Sequence, residues 1–179
     1  MTRMIRAAKT TVKSWKCSMA SGSASFAQKE RSCTEMIRKM TEADLERVME
    51  IWLDACIKGQ SFIPEDYWRR HAEVVKKDYI PQSEVYVNEQ GNAVNGFIAV
   101  VGGRHIGALF VDPDCWHQGI GRGLMEYALD RYKGMITLAA YAENDRAVNF
   151  YRRLGFEVKE EEIEAESGCR EYIMQGESK

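Results

Sequence analysis

The chain has 179 residues and a net charge of -2, with 45% hydrophobic and 29% charged residues, which is typical of a globular domain with some additional length. No apolar run reaches the roughly 20 residues of a membrane-spanning helix, so no membrane partner is expected. Five scattered cysteines without a CxxC pair, and three histidines without ligand spacing, predict neither a disulfide framework nor a metal site. A reducing, cytoplasmic location is therefore favoured.

The charge is distributed unevenly along the chain. Residues 1–35 contain seven Lys/Arg and two Asp/Glu, a net of +5, which leaves 18 basic and 25 acidic residues, a net of -7, in 36–179. An acidic domain repels nucleic acid, so no nucleic-acid partner is expected, and it attracts a cationic substrate. An acidic surface that serves only solubility is the alternative.

The first 35 residues are predicted to be a disordered basic extension, followed by a single domain at 36–179. Residues 18–25 are rich in Ser, Gly and Ala and have no sustained apolar period. The extension has no apolar h-region, which excludes a secretory signal, and a dispensable segment is favoured over a transit peptide.

From Met36 onward the sequence has the periodicity of a folded domain. Thr41 and Asp44 give a weak capping-box signal for a helix, and Pro64 suits the first turn of another. The elements predicted in this half are a strand at 36–39, a helix at 45–55 ended by Gly59, and a helix between Pro64 and Pro81.

The second half alternates strands with helices. The elements predicted there are strands at 85–87, 96–101 and 106–111, a helix at 124–132, a strand at 136–140, a helix at 146–154 ended by Gly155, and strands at 156–158 and 172–174. This order predicts an α/β (α+β) fold in which a mixed, mostly antiparallel central sheet carries helices on both faces.

A glycine-rich loop joins the strand at 106–111 to the next helix. Gly119, Gly121 and Gly123 allow backbone N–H groups to approach a ligand closely, and the helix N-terminus adds its free N–H groups and dipole. With the charge of Arg122, the loop suits a pyrophosphate. A tight turn without a ligand is the alternative; neither a P-loop nor a dinucleotide fingerprint matches.

A second motif follows at 144–156, with the pattern N-x-x-A-x-x-F-Y-x-x-x-G-F. Together with the D-P-x5-G-x-G loop at 112–121, it resembles the GNAT family, the Gcn5-related N-acetyltransferases, over about 36–174. Through Trp52, the segment at 62–69 and the turn at 102–104, the chain is most similar to small bacterial protein-lysine acetyltransferases.

The resemblance implies acetyl-CoA as cosubstrate and a splayed parallel strand pair, 106–111 and 136–140, that admits its pantetheine arm. The implied cofactor-binding residues are Leu109, Phe110 and Val111 through their backbone, His117, Gln118, Gly119, Ile120, Gly121 and Arg122 around the pyrophosphate, and Asn144.

Tyr151 matches the tyrosine that protonates the departing thiolate, and a phenol with an ordinary pKa of about 10 is a neutral donor at pH 7. Trp116 stands where the family loop usually has Gln or Arg. Ala139 stands where many members carry a glutamate base. His105, expected at the mouth of the splayed pair, is the candidate base, because imidazole titrates near neutrality; a water chain is the alternative.

The acceptor side is expected between the first two helices. Phe62, Tyr67 and Trp68 would form the wall of a channel for an alkyl-amine stem, and Glu65 and Asp66 would attract its charge. Core packing is the alternative for the three aromatic residues.

The resulting hypothesis is an N-acetyltransferase that transfers acetyl directly to a primary amine, on a protein lysine or a small molecule, as a monomer or homodimer without a metal. A non-catalytic acyl-CoA-binding module is the alternative. Ala139 and Trp116 favour the module, whereas Tyr151 and Asn144 favour the enzyme.

A shortened chain that starts at Met36 tests the role of the extension. Because residues 1–35 cannot bury a core, we expect the shortened chain to keep its melting temperature and its affinity for coenzyme A, measured by calorimetry and titration. A large loss in either quantity would mean that the extension packs on the domain.

Overall fold

The computed structural model describes residues 35–178. The predicted basic extension therefore lies, apart from Glu35, outside the described residues. Between residues 35 and 178, no helix is long and apolar enough to cross a membrane. The single-domain assignment of 36–179 stays a prediction.

Seven strands of the described chain form one sheet. They are β1 (Glu35–Lys39), β2 (Glu84–Gln90), β3 (Ala93–Val101), β4 (His105–Val111), β5 (Gly134–Tyr141), β6 (Glu157–Ile163) and β7 (Arg170–Ser178). Their order in the sheet is β1-β2-β3-β4-β5-β7-β6, and β4 with β5 is the parallel pair among antiparallel neighbours. The predicted mixed, mostly antiparallel sheet is confirmed.

Four α-helices cover the sheet within this range. They are α1 (Leu45–Gly59), α2 (Glu65–Val74), α3 (Ile120–Arg131) and α4 (Asp145–Arg153). The core on one face contains Trp52 of α1 and Trp68 of α2, whereas the core on the other contains Leu124 of α3 and Tyr151 of α4. Helices therefore lie on both faces, as the sequence predicts.

The predicted capping box closes a 3-10 turn (Glu42–Asp44) that leads directly into α1. The buried Asp44 carboxylate accepts the N–H of Thr41 at 2.7 Å and its hydroxyl at 2.8 Å, and the Arg38 guanidinium donates to both carboxylate oxygens. The hydrogen bonds from Arg38, with those from Thr41, hold the pKa of Asp44 well below its usual range. This contact joins β1 to the helix.

The second helix differs from its prediction. The segment between Pro64 and Pro81 is α-helical only as far as Val74, and continues as a π-helical turn (Val75–Tyr79) and a 3-10 turn (Ile80–Gln82). Pro81 lies in this closing turn, since it lacks the N–H that an α-helix needs.

A β-bulge in β4 opens the sheet. Ala108 pairs with Ala99 of β3, but Ile106 pairs with Val100, so Gly107 has no partner on β3. A bulge bends its strand and increases the local twist. β4 and β5 pair at two positions before the bulge, His105 with Thr137 and Ile106 with Leu138, and separate after it. The splayed parallel pair is therefore present.

Candidate functional site

A cavity of about 660 Å³ lies where β4 and β5 separate. Because the sheet is open at this point, residues from both of its faces line the cavity. Trp52 and Trp68 reach it from the α1–α2 face, and Phe150 and Tyr151 reach it from α4 on the opposite face. A ligand in the cavity can therefore contact groups of both faces.

The backbone of β4 presents its hydrogen-bonding groups alternately to β3 and to the cavity. The N–H of Asp112 donates to the Asn95 carbonyl at 2.8 Å, and the Phe110 carbonyl lies against Gly96 of β3. Since alternate residues of a strand point their backbone groups to opposite sides, Leu109 and Val111 face the cavity. This refines the predicted trio, because the backbone groups of Phe110 face β3.

Trp116 forms a hydrogen bond with one of these backbone groups, the carbonyl of Val111. Its indole N–H donates to the Val111 carbonyl at 2.8 Å, and the Arg146 guanidinium stacks over its ring, 3.7 Å from the centroid. Leu109 therefore offers the backbone N–H and C=O of the cavity wall to an amide-containing ligand. Burial lowers the pKa of Arg146, yet an arginine keeps its charge at neutral pH.

The N-terminus of α3 closes one end of the cavity. Gly119 is its N-cap, with a φ of 88° that favours glycine, and the cavity wall continues through Ile120, Gly121 and Arg122. The first N–H groups of a helix have no partner within it, and the helix dipole places partial positive charge there. The arrangement suits the pyrophosphate that the sequence predicts.

Arg122 is expected to add little to this site. Its side chain is exposed, and its Nε donates to Glu126 one turn later at 2.7 Å. We expect Arg122→Ala to weaken coenzyme A binding by about 1 kcal/mol, or about fivefold, in a calorimetric titration. Arg131→Ala, at the other end of the same helix, is the control and should bind normally. A loss of a hundredfold or more would make the side chain, and not the backbone, the main anion ligand.

Tyr151 and Asn144 reach the cavity from α4, with Asn144 as its N-cap. Tyr151 is 8% exposed and packs between the rings of Phe150 and Phe156, with centroids at 5.2 and 6.1 Å. Burial raises the pKa of Tyr151, so its phenol is a neutral proton donor at pH 7. The Asn144 side-chain oxygen caps α4 by accepting the Ala147 N–H at 3.1 Å, which leaves the amide NH₂ to donate to a ligand.

Most of the predicted site residues meet in this cavity. Those that line it are Leu109, Phe110, Val111, His117, Gly119, Ile120, Gly121, Arg122, Asn144, Tyr151 and Trp68. Gln118 lies beside it, in a hollow with Gly123 and Glu126. The roles assigned to all these residues stay predictions.

Three other predicted residues lie outside the cavity wall. His105 was expected at the mouth of the splayed pair but lies at its closed end, where its Nδ1 is 2.9 Å from the Thr137 hydroxyl. Phe62 packs edge-on against Tyr141, at 5.8 Å between centroids, and the Tyr67 hydroxyl donates to the buried Glu164 at 3.2 Å. Phe62 and Tyr67 therefore pack against Tyr141 and Trp68, which line the cavity.

The cavity also has polar groups that the sequence analysis missed. The Gln60 side-chain carbonyl and the Trp68 indole N–H are buried and have no hydrogen-bond partner between residues 35 and 178. A buried polar group without a partner costs about 1–3 kcal/mol, so both groups favour a ligand that supplies one. Glu171 of β7 also lines the cavity, and only the β5–β7 register reveals its position.

Comparison with known proteins identifies the family. The model of the acetyltransferase (GNAT) domain matches residues 81–158, which include β2–β5, α3 and α4. The peptidyl-lysine N-acetyltransferase YiaC of Escherichia coli K12 is 32% identical over 139 residues, which cover 78% of this chain and 94% of YiaC. The chain belongs to the GNAT family of acetyltransferases.

Solved structures of GNAT proteins share this fold. The solution structure of apo-form YjaB from Escherichia coli has a TM-score of 0.70 and 25% identity, with coverage of 80% of this chain and 97% of YjaB. The PaiA N-acetyltransferase from Thermoplasma acidophilum, in complex with coenzyme A, has a TM-score of 0.66 and 18% identity, with coverage of 80% and 99%. The second similarity is one of fold alone.

Proposed function

We propose that this GNAT protein transfers the acetyl group of acetyl-CoA directly to the side-chain amine of a protein lysine, with Tyr151 as the general acid. The single observation that carries the proposal is the cavity itself. It joins the α3 N-terminus to Tyr151 on one face of the sheet and to Trp68 on the other. A helix N-terminus suited to a phosphate, a buried phenol and an apolar wall therefore open into one space.

The chemistry of the cavity wall suits acetyl-CoA. The α3 N-terminus suits the pyrophosphate, and the Leu109 backbone suits the amides of the pantetheine arm, which would lie along β4 as an added strand. The arm then leads towards Tyr151. PaiA, whose fold this chain shares, is in complex with coenzyme A.

Tyr151 supplies the proton that the leaving group needs. As the amine nitrogen bonds to the acetyl carbon and the carbon–sulfur bond breaks, negative charge develops on sulfur. The phenol stabilises this charge by a hydrogen bond and transfers its proton to the sulfur. Because its pKa is raised by burial, Tyr151 keeps this proton until the thiolate forms.

The α1–α2 side of the cavity suits the stem and the backbone of a lysine residue. Trp52, Trp68 and Tyr141 provide an apolar wall for the four methylenes of the side chain. The Trp68 N–H and the Gln60 carbonyl, which have no partner within the described part of the chain, can bond to the C=O and N–H of an amide. A peptide offers both groups, and YiaC bears the name of a peptidyl-lysine N-acetyltransferase.

Thiol release from acetyl-CoA, with mass spectrometry of the acceptor, tests this function. We expect peptides with an internal lysine to be acetylated with higher kcat/KM than free lysine or simple alkylamines. Preference for a small amine would contradict the protein acceptor. Binding of acetyl-CoA without turnover of any amine would favour the non-catalytic module.

A further inference from the structure

At neutral pH the proposed acceptor, a lysine side chain, is an ammonium ion and therefore not a nucleophile. The lysine ammonium has an ordinary pKa of about 10 and must lose a proton before its nitrogen can attack a thioester. Ala139 contributes no base, and His105 lies at the closed end of the splayed pair. Among the residues that line the cavity, Glu171 of β7 is a carboxylate.

The pairing of β5 with β7 places Glu171 beside Ala139, the position at which many GNAT members carry a glutamate base. Glu171 pairs with Tyr141, and Ile173 pairs with Ala139, so Glu171 and Ala139 are diagonal neighbours. Directly paired side chains project from the same face of an antiparallel sheet, and diagonal neighbours are within reach of a long side chain. Since alanine fills little space at 139, the carboxylate of Glu171 can occupy the space above it.

The face that carries Glu171 is the acceptor face. Its partner Tyr141 belongs to the α1–α2 core and packs edge-on against Trp68, with ring centroids 6.3 Å apart. Tyr151 belongs to the core on the opposite face. A carboxylate and a phenol therefore approach the opening between β4 and β5 from opposite faces of the sheet.

The charged groups to weigh at Glu171 are the carboxylates of β6 and of the loop before β7, and the arginines Arg122, Arg146 and Arg153, which also line the cavity. Glu162 of β6 is paired directly with Glu171, and the charges of Glu164 and Glu171 both act on the Tyr141 hydroxyl. Glu164 is ionised, since hydrogen bonds from Ser167 and Glu166 overcome the effect of burial and lower its pKa to about 2. The Tyr67 hydroxyl of α2 completes the surroundings and donates to Glu164. On the face that carries Glu171, these carboxylates attract an ammonium group.

We propose that Glu171 is the general base that deprotonates the acceptor ammonium. This inference rests on the acetyltransferase function proposed above and adds the residue that prepares the nucleophile. The carboxylate occupies β7, one strand away from the position that many GNAT members use.

The protons balance in this scheme. The ammonium gives one proton to Glu171, which is half-buried and can release it to solvent. The neutral nitrogen then bonds to the acetyl carbon, the carbon–sulfur bond breaks, and the sulfur takes the Tyr151 proton. The second surplus proton on nitrogen passes to the Tyr151 phenolate. The products are the amide, the free thiol and one proton in solution.

Glu171→Gln in the full chain, assayed against acceptors of different basicity, tests the proposal. With a lysine peptide at pH 7, we expect kcat to fall by about a hundredfold or more, the usual contribution of a general base. The deficit should shrink as the pH rises towards the pKa of lysine. With a primary amine whose pKa lies below 7, the loss should be small, because this acceptor needs no base.

Two variants act as controls. Glu177→Gln makes the same change on the same strand, at an exposed position that does not line the cavity, and should match the parent. His105→Ala removes the general base that the sequence predicted. This substitution should leave the pH profile unchanged if Glu171 is the base. Acetyl-CoA affinity of Glu171→Gln, measured by calorimetry, should also be unchanged.

The outcomes separate this inference from the function it rests on. If the parent acetylates no amine, the proposed function fails. If the parent acetylates the lysine peptide but Glu171→Gln loses equal activity with both acceptors, or loses none, then Glu171 is not the base. Loss of the neutral limb in His105→Ala alone would assign the proton to His105.

Discussion

Tyr151→Phe should lower kcat with a good amine acceptor by about a hundredfold or more while leaving acetyl-CoA affinity nearly unchanged. The substitution removes the proton donor and keeps the ring, so the contacts with Phe150 and Phe156 remain. A general acid contributes about 10²–10⁴-fold, and its hydrogen bond matters most as charge develops on the thiolate. Steady-state kinetics should therefore place the loss in kcat and not in KM.

Tyr127→Phe provides the matched control. Tyr127 is a half-buried tyrosine of α3 that packs against Tyr86 and does not line the cavity. The same loss of a hydroxyl there should leave turnover unchanged. If Tyr151→Phe also turns over like the parent, the thiolate leaves without an acid and the assignment is wrong.

The pH dependence of the parent gives a further check on Tyr151. Burial raises its pKa above the ordinary value of about 10. Deprotonation of Tyr151 should therefore cause no alkaline loss of kcat below about pH 10. An alkaline limb that lies lower and disappears in Tyr151→Phe would contradict the burial of this phenol in the working enzyme.

The sequence predicted those parts of the site that are contiguous in the chain. The loop at 112–121 and the segment at 144–156 carry their glycines, Asn144 and Tyr151 at fixed spacing. A helix N-terminus and a helix face follow directly from such spacing, because the backbone geometry is local. These segments also carry most of the cofactor wall.

The sequence did not predict the parts that depend on strand register. Glu171 is separated from Ala139 by 32 positions in the chain, and only the pairing of β5 with β7 makes them neighbours. The bulge at Gly107 likewise exists only relative to β3, and it decides which end of the splayed pair opens. The sequence-based hypothesis placed the opening at the His105 end of β4, where β4 and β5 are in fact paired. His105 was therefore expected at the mouth.

Gly121→Val should weaken acetyl-CoA binding by about a hundredfold or more without unfolding the domain. A Cβ atom at 121 would meet Val111 Cγ2 at 3.5 Å and Phe150 Cζ at 4.0 Å, which is ordinary van der Waals contact. The two γ-methyl groups of valine would add bulk in the first turn of α3, where the pyrophosphate is expected. Blocking two charge-assisted hydrogen bonds of about 1.5 kcal/mol each gives a loss of this size.

Gly123→Ala tests whether the weaker binding of Gly121→Val comes from the blocked cavity or from a change in the helix itself. A Cβ atom at 123 meets Ile37 of β1 at 4.0 Å, and Gly123 does not line the cavity. Alanine is also favoured over glycine within a helix by about 1 kcal/mol. We therefore expect normal acetyl-CoA affinity and an unchanged or higher melting temperature for Gly123→Ala. Normal affinity in Gly121→Val as well would mean that the pyrophosphate does not lie against Gly121 at the α3 N-terminus.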